Sequence, residues 1–264
     1  MAQMSAQPLV HRKLFTQRRS PRDLVAILRN EDHVDQQGLY DLDGSLHRGF
    51  YPPWLKAISN ADLAIYLASH IPLSQLPRFL CDGVHIFLYE KKNIQDGKES
   101  ERPEHIRYLV ETFRRSLSAL PEELIRNAAD FMPKLRYPHA KEALDKIGAR
   151  GNIISCGFYP VASAYGRAFG IPRVYANPLL GFDPKQHGEI YGAVDKARIA
   201  RKINGERYIV IGDTADDMGM GLTARVKNPE SVIIALHGRC TYLAAEADII
   251  ASCWEDIHAL LDAY

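Results

Sequence analysis

Two patterns of apolar residues divide the chain. Between about residues 53 and 135 apolar residues recur at the spacing of a helix face, and after about residue 139 short apolar runs alternate with helical patterns. The second pattern is typical of a parallel sheet with crossover helices. The longest helical stripe of the first region consists of Ile106, Leu109, Val110, Phe113, Leu117 and Leu120. The predicted strands span 152–155, 173–176, 208–211 and 231–236, and the predicted helices after residue 139 span about 161–169, 195–204, a short stretch after 217, and 254–264.

The beginning of the chain fits these patterns less well. Ser20 and Pro21 suit the N-cap and the first position of a helix. Residues 33–40 are too polar for a strand that is buried on both faces. Residues 1–19 contain basic side chains and no acidic one. They predict a disordered basic tail, with an organelle transit peptide as the alternative.

Length and charge narrow the possible functions. The 264 residues can form one large domain, or a core with one insert. Lys and Arg total 33 and Asp and Glu total 32, so the near-neutral balance disfavours nucleic acid and membrane partners. The apolar runs are also too short for a membrane span.

The cysteines add a prediction about the compartment. They stand far apart and form no C-x-x-C pair, which favours a reducing compartment, the cytoplasm, over a disulfide framework or a zinc site. The four are Cys81, Cys156, Cys240 and Cys253.

Candidate chemistry lies in four separated segments. Asp41-Leu42-Asp43-Gly44 is the first, and Ser155-Cys156-Gly157 follows a predicted strand. Lys196 begins a predicted helix, and the segment from Gly212 to Asp217 follows another predicted strand. Since the carboxyl ends of parallel strands meet at one edge of the sheet, we expect these segments to converge there.

The residue types in these segments suit phosphoryl transfer. A carboxylate that approaches a phosphomonoester is repelled unless a divalent cation lies between them, and Mg²⁺ prefers oxygen ligands. Asp41 would attack phosphorus, and Asp43 would protonate the leaving alcohol and then deprotonate water. Ser155, Lys196 and the N–H groups around Gly157 could hold the phosphoryl oxygens.

Each segment alone has an ordinary explanation. A lone D-x-D-G occurs by chance or in calcium loops, but the Glu that a calcium loop needs eleven positions beyond Asp41 is Pro52. Ser155 alone suits a cap, Lys196 alone suits a solvated helix face, and Asp217 suits a helix N-terminus. The order of all four segments favours phosphoryl transfer over these explanations.

The set resembles the haloacid dehalogenase superfamily, and within it the phosphoserine-phosphatase-like branch. The resemblance covers residues 39–46 and about 138–262, and it is most specific in Ser155-Cys156-Gly157-Phe158 and Tyr175-Ala176-Asn177-Pro178-Leu179. It implies an α/β fold, a Rossmann-like parallel sheet core with an inserted, mostly helical cap. The core would comprise 20–46 and 138–264, and the cap 47–137.

The resemblance also implies roles for single residues. Asp41 would be the nucleophile and a Mg²⁺ ligand, Asp43 the acid/base with its backbone carbonyl on the metal, and Asp213 a further Mg²⁺ ligand. Asp217 would support the metal site or orient Lys196. The phosphate binders that the resemblance implies are Ser155 and Lys196, with Lys202 as the alternative lysine. Asp216 takes a place often held by Asn.

The chain lacks two features of phosphoserine phosphatases, and this difference bears on the class of substrate. Phosphoserine phosphatases carry an acidic residue shortly after the first motif and a Met-x-Gly signature in the cap, and neither occurs between His47 and Leu120. We therefore expect a small phosphorylated metabolite other than phosphoserine, and Phe50, Tyr51 and Trp54 hint at an apolar leaving group. The alternatives are a phosphotransferase or mutase on the same core, and a non-catalytic binding protein.

Overall fold

A seven-stranded sheet forms the centre of the protein. The computed structural model describes residues 14–16, 18–50, 59–71, 103–179, 182, 188–237 and 240–264. The spatial order of the strands is β1-β7-β6-β5-β2-β3-β4; β2 to β7 run parallel, and β1 pairs antiparallel with β7. The strands are β1 (Leu14–Thr16), β2 (Gln36–Tyr40), β3 (Arg150–Phe158), β4 (Arg173–Asn177), β5 (Arg207–Gly212), β6 (Val232–Leu236) and β7 (Ile249–Ala251).

Helices flank the sheet and occur in the described parts of the predicted cap. They are α1 (Pro21–Arg29), α2 (Ser59–Ala68), α3 (Pro103–Leu117), α4 (Glu122–Phe131), α5 (Ala140–Lys146), α6 (Tyr159–Phe169), α7 (Ala193–Lys202), α8 (Met218–Lys227), α9 (Thr241–Glu246) and α10 (Trp254–Ala263). Short 3-10 helices span Met132–Leu135 and Ala215–Asp217. No described helix combines the length and hydrophobicity that a membrane span needs.

The elements predicted after residue 139 are confirmed. The four predicted strands correspond to β3, β4, β5 and β6, and the predicted helices correspond to α6, α7, α8 and α10. Ser20 caps α1 as predicted, because its side chain accepts a hydrogen bond from Asp23 N. Most of the predicted apolar stripe of the middle third lies on one face of α3, where Leu109, Val110, Phe113 and Leu117 are buried, whereas Leu120 lies beyond the end of the helix.

The prediction that residues 33–40 are too polar for a buried strand is wrong. They contain β2, which is buried throughout and lies between β3 and β5 in the middle of the sheet. Its polar side chains find partners inside the protein: Gln36 Oε1 accepts from Arg207 Nε at 2.6 Å, and Gln37 Nε2 donates to Asp35 Oδ1 at 2.8 Å. A buried polar group costs little when it is hydrogen-bonded, so this strand tolerates two glutamines.

Part of the predicted basic tail also belongs to the sheet. Leu14–Thr16 pairs with Ile249–Ala251 as the edge strand β1. Residues 1–13 and Gln17 of the predicted tail lie outside the described residues.

The strand order creates a crevice beside β2. The chain runs from β2 through β3 to β4 on one side, and then returns to β5, β6 and β7 on the other side. Such a reversal of direction leaves an opening at the carboxyl ends of the two strands that flank it, where open α/β sheets bind ligands. Here those strands are β2 and β5, which carry Asp41 and Asp213 just beyond their ends.

Candidate active site

Asp41 and Asp213 converge at this crevice. Asp41 N donates to Ile211 O at 3.0 Å, so the chain after β2 continues alongside β5. Gly44 then turns with a φ of 79°, and a Cβ on it would lie 2.1 Å from Asp213 Oδ2. Only glycine adopts this conformation readily and leaves room for the carboxylate. The turn after Asp43 thus packs directly against Asp213.

The carboxylates form a cluster that fits a hard cation. One oxygen from each of Asp41, Asp213 and Asp217 lies within 4.8 Å of the others, and all three residues are buried. Oxygen ligands of this kind suit Mg²⁺, which takes few protein carboxylates and keeps several waters. Both oxygens of Asp217 accept hydrogen bonds from the protein, whereas only Oδ1 of Asp41 binds Lys196 among the described contacts, so Asp41 and Asp213 are the residues of this cluster that would hold the ion.

Lys196 lies between two of these carboxylates. Its Nζ is 2.6 Å from Asp41 Oδ1 and 2.7 Å from Asp217 Oδ1, and all three side chains are buried. Lys196 therefore points into the site, whereas Lys202, the alternative lysine, is exposed in the last turn of α7.

Asp217 organises the turn after β5. Its Oδ2 accepts from Asp213 N and Thr214 N at 3.0 Å each and from Thr214 Oγ1 at 3.2 Å, while Oδ1 accepts from Lys196. A Cβ on Gly212 would lie 2.4 Å from the Asp217 carboxylate. Asp217 thus holds both Lys196 and the backbone of Asp213, as expected for a supporting residue.

Burial and charge set the protonation of this group. Burial, and then the neighbouring Asp217 carboxylate, raise the pKa of Asp41 well above its usual value, against the opposing effect of Lys196. Burial lowers the pKa of Lys196, but Asp217 and Asp41 outweigh burial and hold that pKa well above its usual value. The lysine therefore stays charged, and a further cation would favour the ionised form of Asp41.

Asp43 is held by the predicted cap. Its Oδ1 accepts from Ser59 N, the first residue of α2, at 2.7 Å. The next residue, Asn60, accepts from Phe158 N at 3.2 Å through Oδ1. The first turn of α2 thus contacts both the first motif and the end of β3. Sequence patterns did not single out Ser59 or Asn60, because the first contact is made by a backbone N–H that any residue except proline can supply.

Ser155 and Gly157 lie in the last part of β3 and bind each other. Gly157 N donates to Ser155 Oγ at 2.9 Å, and Ser155 is fully buried. The pairing of β3 with β4 shifts register between Ile154 and Phe158, so this stretch departs from regular strand geometry. The Gly157 N–H already has a partner here, and its role in phosphate binding stays a prediction.

A cavity of about 100 Å³ opens between these motifs and α3. Among the predicted residues it exposes Asp41, Asp43, Lys196 and Asp216. Ser155, Asp213 and Asp217 are not among its described lining residues. The other lining residues are Asn60, Ile106, Leu109, Val110, Phe113, Cys156 and Thr214. Burial raises the pKa of the Cys156 thiol well above its usual value, so this cysteine is not a reactive thiolate.

Phe50, one of the three aromatic residues that hinted at an apolar leaving group, does not line this cavity. Phe50 is 46% exposed and stacks with Phe131 at a centroid distance of 6.3 Å, outside the described lining. Tyr51 and Trp54 lie outside the described residues.

Comparisons with known proteins identify the family and the fold of the chain. The model of the haloacid dehalogenase-like hydrolase family matches residues 39–221, which include all the predicted site residues. At the sequence level, no curated protein is significantly similar to the chain.

Several solved structures share the fold. A cytosolic 5'-nucleotidase IIIB bound to cytidine is 13% identical, with a TM-score of 0.57 over 97% of this chain and 95% of that chain. A phospho-aspartyl intermediate analogue of phosphoserine phosphatase is 19% identical, with a TM-score of 0.52 over 83% and 93%. A phosphoserine phosphohydrolase-like protein from Francisella tularensis subsp. tularensis is 18% identical, with a TM-score of 0.53 over 85% and 99%. At these identities the likeness concerns the fold.

Proposed function

Because the chain belongs to the haloacid dehalogenase-like hydrolase family, we propose that it is a Mg²⁺-dependent phosphatase that hydrolyses a small phosphomonoester through an aspartyl-phosphate. The observation that supports this most strongly is the convergence of Asp41, Asp43 and Lys196 on one cavity, with Asp213 packed behind Gly44. Carboxylates that serve as nucleophile and acid/base need this proximity.

Asp41, Asp43 and Lys196 have different roles in the first half-reaction, the transfer of the phosphoryl group to the enzyme. A carboxylate oxygen of Asp41 forms a bond to phosphorus as the bond from phosphorus to the leaving oxygen breaks. Asp43, in its protonated form, gives its proton to that oxygen and releases an alcohol. Lys196 offsets the charge of Asp41 in the free enzyme and lies within reach of an oxygen of the phosphoryl group.

The second half-reaction reverses the role of Asp43. Its carboxylate accepts a proton from a water molecule, the water oxygen bonds to phosphorus, and the bond between phosphorus and Asp41 breaks. The products are inorganic phosphate, a free Asp41 carboxylate and a protonated Asp43. The hydrogen bond from Ser59 N keeps Asp43 in place through both steps.

We assign Mg²⁺ to Asp41, Asp213 and the backbone carbonyl of Asp43. When bound, the ion reduces the repulsion between the Asp41 carboxylate and the anionic phosphoryl group. Cytoplasmic location and the division into core and cap remain proposals that rest on the sequence.

Release of inorganic phosphate from phenyl phosphate tests this function. We expect Mg²⁺-dependent release that stops in excess chelator, and the same assay with a soluble alcohol present should still give inorganic phosphate as the main product. Transfer of most phosphoryl groups to the alcohol would identify a phosphotransferase instead. Absence of both products across a panel of phosphorylated metabolites would favour a non-catalytic binding protein.

A further inference from the structure

The wall of the cavity that faces the carboxylates is apolar. It comes from one face of α3, where four residues recur at helical spacing: Ile106, Leu109, Val110 and Phe113. Ile106 is partly buried, and the other three are buried. A phosphomonoester whose phosphoryl group lies at Asp41 would direct its leaving group toward this wall, because Asp41 and α3 line the same small cavity.

The charges of the cavity disfavour an anionic leaving group. Its described lining contains the carboxylates of Asp41, Asp43 and Asp216, and Lys196 is the one Lys or Arg among the described residues that line it. Lys196 is already paired with Asp41 and Asp217. A carboxylate on the leaving group would therefore be repelled by the carboxylates of the protein. It would also lose its hydration without gaining a partner.

The arginines of α3 bind groups outside the cavity. Arg114 pairs with Glu189 at 2.8 Å and with Glu111 at 2.7 Å, and the Arg107 guanidinium lies 5.0 Å from the centroid of the Tyr191 ring. The third arginine, Arg115, is exposed and bonds only within its own helix as far as the described contacts show. None of the three arginines is among the described lining residues. The helix thus turns Arg107 and Arg114 toward the 188–191 segment, and it lines the cavity with apolar side chains.

From this division we infer that the enzyme selects phosphomonoesters with a neutral, apolar leaving group, and that Ile106, Leu109, Val110 and Phe113 determine this preference. The inference rests on the proposed phosphatase function and adds the class of substrate. The leaving group would gain the free energy of burying apolar surface on α3, and an anionic one would be rejected by the carboxylates.

Three aryl phosphates test the inference. They carry a methyl, a carbamoyl or a carboxylate group at the para position of the phenyl ring. The carbamoyl and carboxylate groups are similar in size and differ in charge, and the methyl compound has the poorest leaving group of the three. We expect kcat/KM for phosphate release to fall from methyl to carbamoyl to carboxylate, with at least a tenfold gap between the first and the last. Intrinsic reactivity cannot produce this order.

Two cap variants test whether α3 is responsible. Ile106→Lys adds a cation to the cavity wall and should raise the carboxylate-to-methyl ratio of kcat/KM about tenfold or more. The matched control is Ile65→Lys, which changes an isoleucine of α2 that is 45% exposed and outside the described lining. It should leave the ratio unchanged.

The outcomes separate the two proposals. Phosphate release that is equal for the three substrates, or fastest for the carboxylate, overturns the inference and leaves the phosphatase function standing. If a folded Ile106→Lys variant keeps the same carboxylate-to-methyl ratio of kcat/KM, α3 is not the cause of the substrate preference. If no aryl or metabolite phosphate is hydrolysed in the presence of Mg²⁺, the proposed function fails and the inference fails with it.

Discussion

At the scale of single residues, Lys196 controls the electrostatic balance of the site. Its ammonium group is the buried counter-charge of two carboxylates, Asp41 and Asp217. Removal of one partner from a buried ion pair leaves an uncompensated charge, which typically costs about 3–5 kcal/mol. The same lysine thus supports both the stability of the fold and the ionisation of Asp41, the proposed nucleophile.

We expect Lys196→Met to lower the free energy of unfolding by about 3–5 kcal/mol at neutral pH in excess chelator. The loss should shrink as the pH falls. Burial and the Asp217 carboxylate raise the folded-state pKa of Asp41 above its unfolded value. Protonation of Asp41 at low pH therefore removes the buried charge. The free energy of unfolding accordingly declines as the pH rises through the folded-state pKa.

Guanidinium unfolding at several pH values measures this effect. Lys202→Met is the control, because Lys202 is exposed on the same helix, and we expect a change of less than about 0.5 kcal/mol. Equal losses in the two variants would show that Lys196 is not the counter-charge of the buried carboxylates.

Substitution of two glycines by alanine distinguishes the effect of backbone strain from the effect of contact with the site. Gly44 has a φ of 79° and contacts Asp213, whereas Gly170 has a φ of 70° and no heavy atom within 4 Å of an added Cβ. Both changes to Ala should cost roughly 1–2 kcal/mol through the positive φ. Only Gly44→Ala should also weaken Mg²⁺ activation of phosphate release, because its Cβ displaces the Asp213 carboxylate.

A Mg²⁺ titration of phosphate release compares these variants. The expected result is a higher half-saturating Mg²⁺ concentration for Gly44→Ala and an unchanged one for Gly170→Ala. A parallel change in both would indicate a general effect of strain and would separate Asp213 from the metal site.

At the scale of elements, a buried hydrogen-bond network joins α2 to the loop after Asp43. Tyr165 OH donates to Met132 O at 2.8 Å, so it accepts from His47 Nδ1 at 2.7 Å. His47 Nε2 lies 2.7 Å from Asp62 Oδ2. Both nitrogens of the buried His47 ring thus have partners inside the protein. The contact of His47 with Asp62 fixes α2 where its first residue can bind Asp43.

We expect Asp62→Ala to lower the free energy of unfolding by about 1–3 kcal/mol, since it leaves a nitrogen of the buried His47 ring without its partner. Asp130→Ala is the matched control. Asp130 binds Arg167 on the surface, where an ion pair contributes less than about 1 kcal/mol. Chemical denaturation monitored by circular dichroism compares them, and equal losses for the two variants would contradict a stabilising role for the buried His47–Asp62 contact.

The elements also show what sequence patterns can and cannot predict. The strands after residue 139 were predictable because their apolar runs are local. β2 was not, since its glutamines are satisfied by partners such as Arg207, which lies 171 positions from Gln36. The apolar stripe of α3 was predictable as a helix face, but the pattern of one helix does not say that this face covers the carboxylates.

At the scale of the whole molecule, strand order brings the distant motifs together. β2 lies between β5 and β3, so the nucleophile segment has Asp213 on one side and Ser155 on the other. The sequence predicted this convergence because it predicted a parallel sheet whose carboxyl ends meet at one edge. It did not predict the cap contacts of Ser59 and Asn60, which depend on how a separate segment packs against that edge.

The most direct test of the account is detection of a phosphoryl group on Asp41. Enzyme mixed with phenyl phosphate and Mg²⁺ is quenched in acid within the first turnover, and its peptides are analysed by mass spectrometry. We predict a phosphoryl adduct on the peptide containing Asp41, no adduct in excess chelator, and neither adduct nor phosphate release in a folded Asp41→Asn variant. Phosphate release at a normal rate by Asp41→Asn, or an adduct on another residue, would contradict the account.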